Sequence, residues 1–88
     1  MSIFQAVEKG TVAEVQRLIE EGVDVDSKDG NGATLLHLAA IQGHDAIIKI
    51  LMDAGAAAGA TNKDGKTPAD FAALGGNKAL AKMLKEAM

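Results

Sequence analysis

Gly32-Ala33-Thr34-Leu35-Leu36-His37-Leu38-Ala39-Ala40, followed by Ile41-Gln42-Gly43-His44, returns 33 residues later as Gly65-Lys66-Thr67-Pro68-Ala69-Asp70-Phe71-Ala72-Ala73, followed by Leu74-Gly75-Gly76-Asn77. Glycine, threonine and the paired alanines recur in register. A fixed period near 33 residues means that each unit is one supersecondary element that cannot bury its apolar face alone, so stacking supplies the core. Ala39 and Ala40 let a helix approach its neighbours closely, and Leu36 and Leu38 supply apolar area on either side. Thr34 stands at the helix start, where its hydroxyl can accept a bond from a first-turn amide.

Working outward, Ser2 to Lys9 reads as a short helix with Ser2 and Gln5 at capping-box spacing, ended by Gly10. Thr11 and Glu14 repeat that spacing, and Val12, Val15, Leu18 and Ile19 then share one helical face up to Gly22. Val23 to Ala33 changes pattern to a hairpin-like loop, with Asp29 and Gly32 at the first and fourth positions of a type I turn. Helices are expected again at Thr34 to Ile41, His44 to Ala54, Pro68 to Leu74 and Lys78 to Ala87, with Asn62 and Gly65 repeating the turn. Gly10, Gly43 and Gly76 separate the helices within units, Gly22 and Gly55 close second helices, and Gly32 and Gly65 finish turns. No glycine-rich loop ends in Gly-Lys-Ser/Thr, so a phosphate cradle is not indicated.

Composition excludes several function classes. The chain has 88 residues, 48% hydrophobic and 24% charged, which is the make-up of a folded domain. There is no cysteine for a disulfide or a thiolate metal site. A net charge of -3, no Trp or Tyr, and only Phe4 and Phe71 as aromatics argue against nucleic-acid binding. The apolar runs are too short for a membrane span and no signal-peptide pattern opens the chain, so cytosol or nucleus is expected. His37, His44 and Asp45 are the best candidates for acid-base or metal chemistry, but two imidazoles fall short of the three or four protein ligands a zinc site wants. Asp70, three residues after Thr67, reads as a helix-capping carboxylate, and Met52 and Met83 read as packing. Lys78, Lys82 and Lys85 read as a solvated face of the last helix.

These residues resemble the ankyrin repeat, whose pattern is Gly-x-Thr-Pro-Leu-His-Leu-Ala-Ala-x-x-Gly-His followed by an apolar helix ending Leu-Leu-x-x-Gly-Ala. Residues 32 to 56 match nearly throughout, with Leu35 in place of proline. The third unit has Ala69-Asp70 for Leu-His and Asn77 for the second histidine, and the first unit keeps Ala6, Gly10, Leu18 and Gly22. The resemblance implies an all-α ankyrin-repeat solenoid, a single domain over 1–88, with units at about 1–31, 32–64 and 65–88 joined by hairpin-like loops. Relative to the middle unit, Gln5 and Arg17 replace Leu38 and Ile50, while Ala69, Ala81 and Lys85 replace Leu36, Ile48 and Met52. Those changes are expected to make both ends caps and the three-unit stack self-contained. Ala57-Ala58-Gly59 stands where the family has Asp-Val-Asn, so that loop is expected to be the more mobile, and neither Asp26 nor Gly59 supplies the family's hydroxylated asparagine.

By the same resemblance the expected function is non-catalytic binding of another protein, without cofactor, by a monomer. The implied surface is Glu8 and Lys9; Lys28, Gly30, Asn31, Ala33, Ile41 and Gln42; and Thr61, Lys63, Asp64, Lys66, Leu74 and Gly75. In ankyrin-like units the first histidine, here His37, bonds back to the threonine. The alternative is a structural or engineered/truncated repeat scaffold with no dedicated partner. That alternative is fed by a groove lacking the Trp, Tyr and Arg that dominate binding hot spots.

Overall fold

A computed structural model describes residues 2–88 and contains six helices: α1 (Ile3–Lys9), α2 (Val12–Glu20), α3 (Leu35–Gln42), α4 (Asp45–Asp53), α5 (Pro68–Leu74) and α6 (Lys78–Ala87). They form three antiparallel pairs. The expected spans agree to within a residue at each end.

Each first helix opens on a reciprocal cap, and each cap uses a different partner. The Gln5 amide donates to the Ser2 hydroxyl (3.3 Å) while the Ser2 amide donates to Gln5 Oε1 (3.0 Å). Thr34 N–H donates to His37 Nδ1 (3.0 Å), and Thr67 N–H donates to Asp70 Oδ2 (2.9 Å). In each case two of the helix's otherwise unpaired donors are satisfied.

The box expected at Thr11 and Glu14 does not form: Thr11 makes no side-chain cap bond. Its own amide already donates to Ala6 O (3.1 Å), so a returning Glu14 carboxylate would find no free donor. Arg17 takes that carboxylate instead, its Nε donating to Glu14 Oε2 (3.2 Å), with Glu21 on its other side. The hydrogen bond from Arg17 holds the Glu14 carboxyl below the usual range. The amides of His44 and Asn77 likewise donate to Ala39 O and Ala72 O (3.0 and 2.9 Å), so second helices start from the frame of the first.

First helices lie closer to one another than second helices do, and the stack therefore bends with α1, α3 and α5 on the inside. Small side chains permit this. Ala6, Ala39, Ala69 and Ala72 are fully buried, and a Cβ on Gly75 would sit 2.7 Å from Ile41 O, so only glycine lets α3 and α5 meet there. Leu35, Leu36, Ile47, Ile48 and Leu51 of the middle unit are at most 1% exposed and form the centre of the core.

Ala69 and Ala81 are also buried, at 0% and 7%, which corrects their reading as an outward-facing cap. Their equivalents Leu36 and Ile48 point into the core, so the change to alanine trims the interior of the last unit rather than its outer face. Gln5, Arg17 and Lys85 are exposed as expected.

The loops are turns with one isolated bridge, between Lys28 and Thr34, and contain no strand among the described residues. Asp29 organises the first: its Oδ1 accepts from Asn31 N (2.8 Å) and Ala33 N (3.0 Å), while its carbonyl accepts from Gly32 N (3.0 Å). Asn62 repeats this with Asp64 N and Lys66 N (2.9 and 3.0 Å). The two turns touch through Lys63 N–H to Asn31 O (3.1 Å), beside Gly32, whose φ of 75° is left-handed and whose Cβ would come within 3.2 Å of Lys63 N.

Asp24 folds its loop back on itself, accepting Asp26 N on Oδ1 (2.9 Å) and Ser27 N on its carbonyl (3.2 Å). The Ala57-Ala58-Gly59 loop has no side-chain acceptor of its own and is tied by Ala57 N–H to Asp26 Oδ1 (2.9 Å). Amides of Ala58, Gly59 and Thr61 are expected to exchange with solvent about tenfold faster than those of Asp26 and Ser27. Equal protection by hydrogen exchange would show that the burial of Ala58, at 7% exposure, is enough to hold the loop.

Candidate functional site

The inner helices and the loop tips bound an open cleft of about 460 Å³. Leu38 of α3 and Phe71 of α5 lie in it, and Asn31, Lys63 and Asp64 belong to its polar rim. A second cleft of about 290 Å³ adjoins α5, lined by Lys66, Asp70, Ala73 and Leu74. Of the surface expected from sequence, the structure gathers Asn31, Ala33, Lys63 and Asp64 in the first cleft, and Lys66 with Leu74 in the second. Glu8, Lys9, Lys28, Gly30, Gln42 and Thr61 are exposed but line neither cleft.

Ala33 is the exception to the expected exposure. It is 4% exposed, because its amide and carbonyl are both drawn into the Asp29 turn, and it offers only an edge to the cleft. Gly75 is on the surface, but its place there is set by the close approach to Ile41 O.

Ile41 is 38% exposed and Leu74 is 72% exposed. They occupy equivalent positions 33 residues apart, and among the described residues a following helix pair is present beside Ile41 but not beside Leu74. Leu38 and Phe71 were legible as cleft residues too, since each precedes its exposed partner by three positions and so shares its helix side.

Both histidines act on the backbone between units. His37 Nδ1 accepts from Thr34 N–H, so the Nε2–H tautomer is the one present, and Nε2 donates to Lys66 O (2.7 Å) in the next unit. Its ring meets Phe71 edge-on, with centroids 4.9 Å apart. His44 Nε2 donates to Glu8 O (3.2 Å), and its ring rests on Gly10, where a Cβ would fall 2.8 Å from the ring. Among the described residues no three His, Asp or Glu side chains gather as a metal site. Met83, expected to pack, is 37% exposed at the rim of a cleft of about 320 Å³ lined also by Asp45, Lys49 and Leu80, on the outer side where second helices sit apart.

Asp70 caps α5, and the bonds from Thr67 hold its carboxyl below the usual aspartate range. A lowered folded-state pKa contributes stability above the unfolded value of about 3.9 and loses it as pH falls through the folded one. Asp70→Asn is therefore expected to flatten the decline of Tm below about pH 4. An unchanged acid limb in a pH series of melting curves would remove Asp70 from that account.

Curved stacks of paired helices with projecting turns form a class of repeat proteins that present an extended inner surface. The family profile described as ankyrin repeats (3 copies) matches residues 3–87, and the chain belongs to that family. Family members generally serve as protein-protein interaction modules. The chain is 46% identical over 46 residues to a potassium channel, AKT1, of Oryza sativa subsp. indica, which is 52% of this chain and 5% of the channel. It is 43% identical over 47 residues to the palmitoyltransferase Hip14 of Drosophila melanogaster, covering 53% of this chain and 7% of the enzyme. The match thus spans well under a tenth of the length of each of these relatives. No helix among the described residues is long and apolar enough to cross a membrane.

Proposed function

We propose that the chain is a non-catalytic module that binds another protein across its inner helices and turn tips, as a monomer in the cytoplasm or nucleus. The units of this reading divide at about 31/32 and 64/65 within a single domain. The observation that carries the reading is Leu74, a large aliphatic side chain 72% exposed beside the half-covered Ile41, next to a cleft containing Leu38 and Phe71. The two histidines support absence of catalysis, since both rings are spent on backbone groups between units. Rigid turns held by Asp29 and Asn62 lower the ordering cost on association. With three units the interface is expected near the small end of the usual range, about 1,200 Å² in total.

Capture from the source lysate on the immobilised chain tests this, comparing the parent with Ile41→Glu plus Leu74→Glu, both confirmed folded by circular dichroism. Binding of the retained protein is expected to weaken by about tenfold or more in the variant, the scale of losing a warm contact of at least about 1.4 kcal/mol. Identical retention would favour the reading of a structural scaffold without a dedicated partner at this face.

A further inference from the structure

We propose that Asn31 is a site of spontaneous covalent modification, where the Gly32 amide nitrogen attacks the Asn31 carboxamide and closes a succinimide that water opens to aspartate or isoaspartate. The chain carries out the reaction on itself, with water as the co-reactant.

Ring closure needs an uncrowded nitrogen and a carboxamide free to rotate, and the chain's asparagines, Asn31, Asn62 and Asn77, differ in both. Asn31 precedes glycine, whereas Asn62 and Asn77 precede lysines whose Cβ atoms crowd the attacking nitrogen. The Asn62 Oδ1 accepts from Asp64 N and Lys66 N (2.9 and 3.0 Å), and the Asn77 Oδ1 accepts from Leu80 N (3.0 Å). Asn31 is exposed, and its bonds to the described residues run through its backbone alone. The reason lies in the turn: Asp29 does for the first turn what Asn62 does for the second, which leaves the Asn31 carboxamide without a structural task. Asp29-Gly30 and Asp64-Gly65 have the same spacing, but a carboxylate is a far poorer electrophile than a carboxamide.

In the folded chain Gly32 N–H donates to Asp29 O (3.0 Å), so attack waits on local opening of the turn, an event of low cost at an exposed tip. Base then takes the Gly32 amide proton, the bond from that nitrogen to Asn31 Cγ forms, the Cγ–Nδ2 bond breaks, and ammonia leaves. Water cleaves the ring at either carbonyl. Release of the nitrogen from Cγ gives aspartate in an ordinary backbone, and release from the main-chain carbonyl carbon gives isoaspartate, with the chain running through Cγ. One water is consumed for each ammonia lost.

Both products add a carboxylate to the cleft that already contains Asp29 and Asp64. Isoaspartate does more. The Asn31 carbonyl oxygen, which accepts Lys63 N–H (3.1 Å), then belongs to a free carboxylate, and the backbone between the turns gains a carbon. The main-chain tie from the first turn to the second is thereby cut.

Peptide mass mapping of the folded chain, aged in mildly alkaline buffer at body temperature, tests the proposal. Asn31 is expected to convert about tenfold or more faster than Asn62 or Asn77, whose carboxamides must first give up their hydrogen bonds. Asn31→Gln, which would need a larger ring, should remove that fast component. Equal conversion at the three asparagines, faster conversion at Asn62 or Asn77, or an intact Asn31 after a time in which a synthetic peptide of residues 28–35 has reacted fully would each overturn the proposal. The isoaspartyl chain, separated by chromatography and shown folded by circular dichroism, should exchange the Lys63 amide about tenfold faster than the parent. Asn31→Asp, which brings the charge without the extra backbone carbon, should protect that amide as the parent does. Loss of protection in Asn31→Asp as well, or none in the isoaspartyl chain, would overturn the severed tie.

Discussion

Replacing His37 by leucine is expected to destabilise the protein by about 2–4 kcal/mol, because the buried ring satisfies the buried Thr34 amide and the part-buried Lys66 carbonyl, which leucine cannot do. Its Nδ1 accepts the Thr34 amide that opens α3, and its Nε2–H meets Lys66 O in the next unit, with the ring itself at 0% exposure and Thr34 at 2%. Each buried group left unpaired costs about 1–3 kcal/mol, and the edge-on contact with Phe71 is lost as well. In a chain of this size the change corresponds to a fall in Tm of about 10–25 °C. Asp70, which caps α5 at the equivalent position, shows why aspartate is no substitute. It works there half-exposed, whereas at position 37 a carboxylate would be buried against the Lys66 carbonyl oxygen. His37→Asp is thus expected to be no milder than His37→Leu. Melting curves of both variants decide the matter, and a loss below about 0.5 kcal/mol in His37→Leu would mean that water takes over the orphaned groups.

Leu51→Ala should be costlier still in consequence, although its local cost is an ordinary one of about 2–5 kcal/mol for a fully buried leucine. Leu51 is 0% exposed on α4, in the helix pair that, among the described residues, contacts a neighbouring pair on both sides. Stability in such an array is a sum of unit terms and nearest-neighbour interfaces, and about three units are the minimum for a fold. Weakening the middle pair leaves two single units, neither of which persists alone. With a total stability of about 4–13 kcal/mol expected for 88 residues, Leu51→Ala is predicted to unfold in one step at a much lower urea midpoint. Leu18→Ala, at the equivalent position of the first pair and already 9% exposed, should cost less. If the two variants melted alike, the nearest-neighbour picture would fail.

The period, the turns and the helix ends were legible because each depends on a few residues acting locally. All seven glycines expected to punctuate the units have positive φ, and Thr34, Thr67 and Ser2 cap the helices expected of them. What was not legible depends on a neighbour that spacing does not reveal. Glu14 stands at the right distance from Thr11, yet the Thr11 amide had already found Ala6 O across the bend. Ala69 looked like a trimmed outer residue, but which side of a helix is outer depends on where the next helix docks. The candidate surface was harder for the same reason. Leu38 and Phe71 have the apolar character of core residues and only their spacing of three from Ile41 and Leu74 points to the cleft, while Ala33 is withdrawn by bonds its own sequence does not announce.

The bonds between units join residues about one period apart: His44 to Glu8, Ala57 to Asp26, His37 to Lys66 and Lys63 to Asn31. No link has to know how many units precede or follow it. Length is consequently a free variable of this architecture. Splicing a further copy of residues 32–64 into the chain would give every existing tie a counterpart and add one inner helix to the groove. The surface can in this way be matched to a longer or shorter ligand by counting copies, with each junction left chemically as it is.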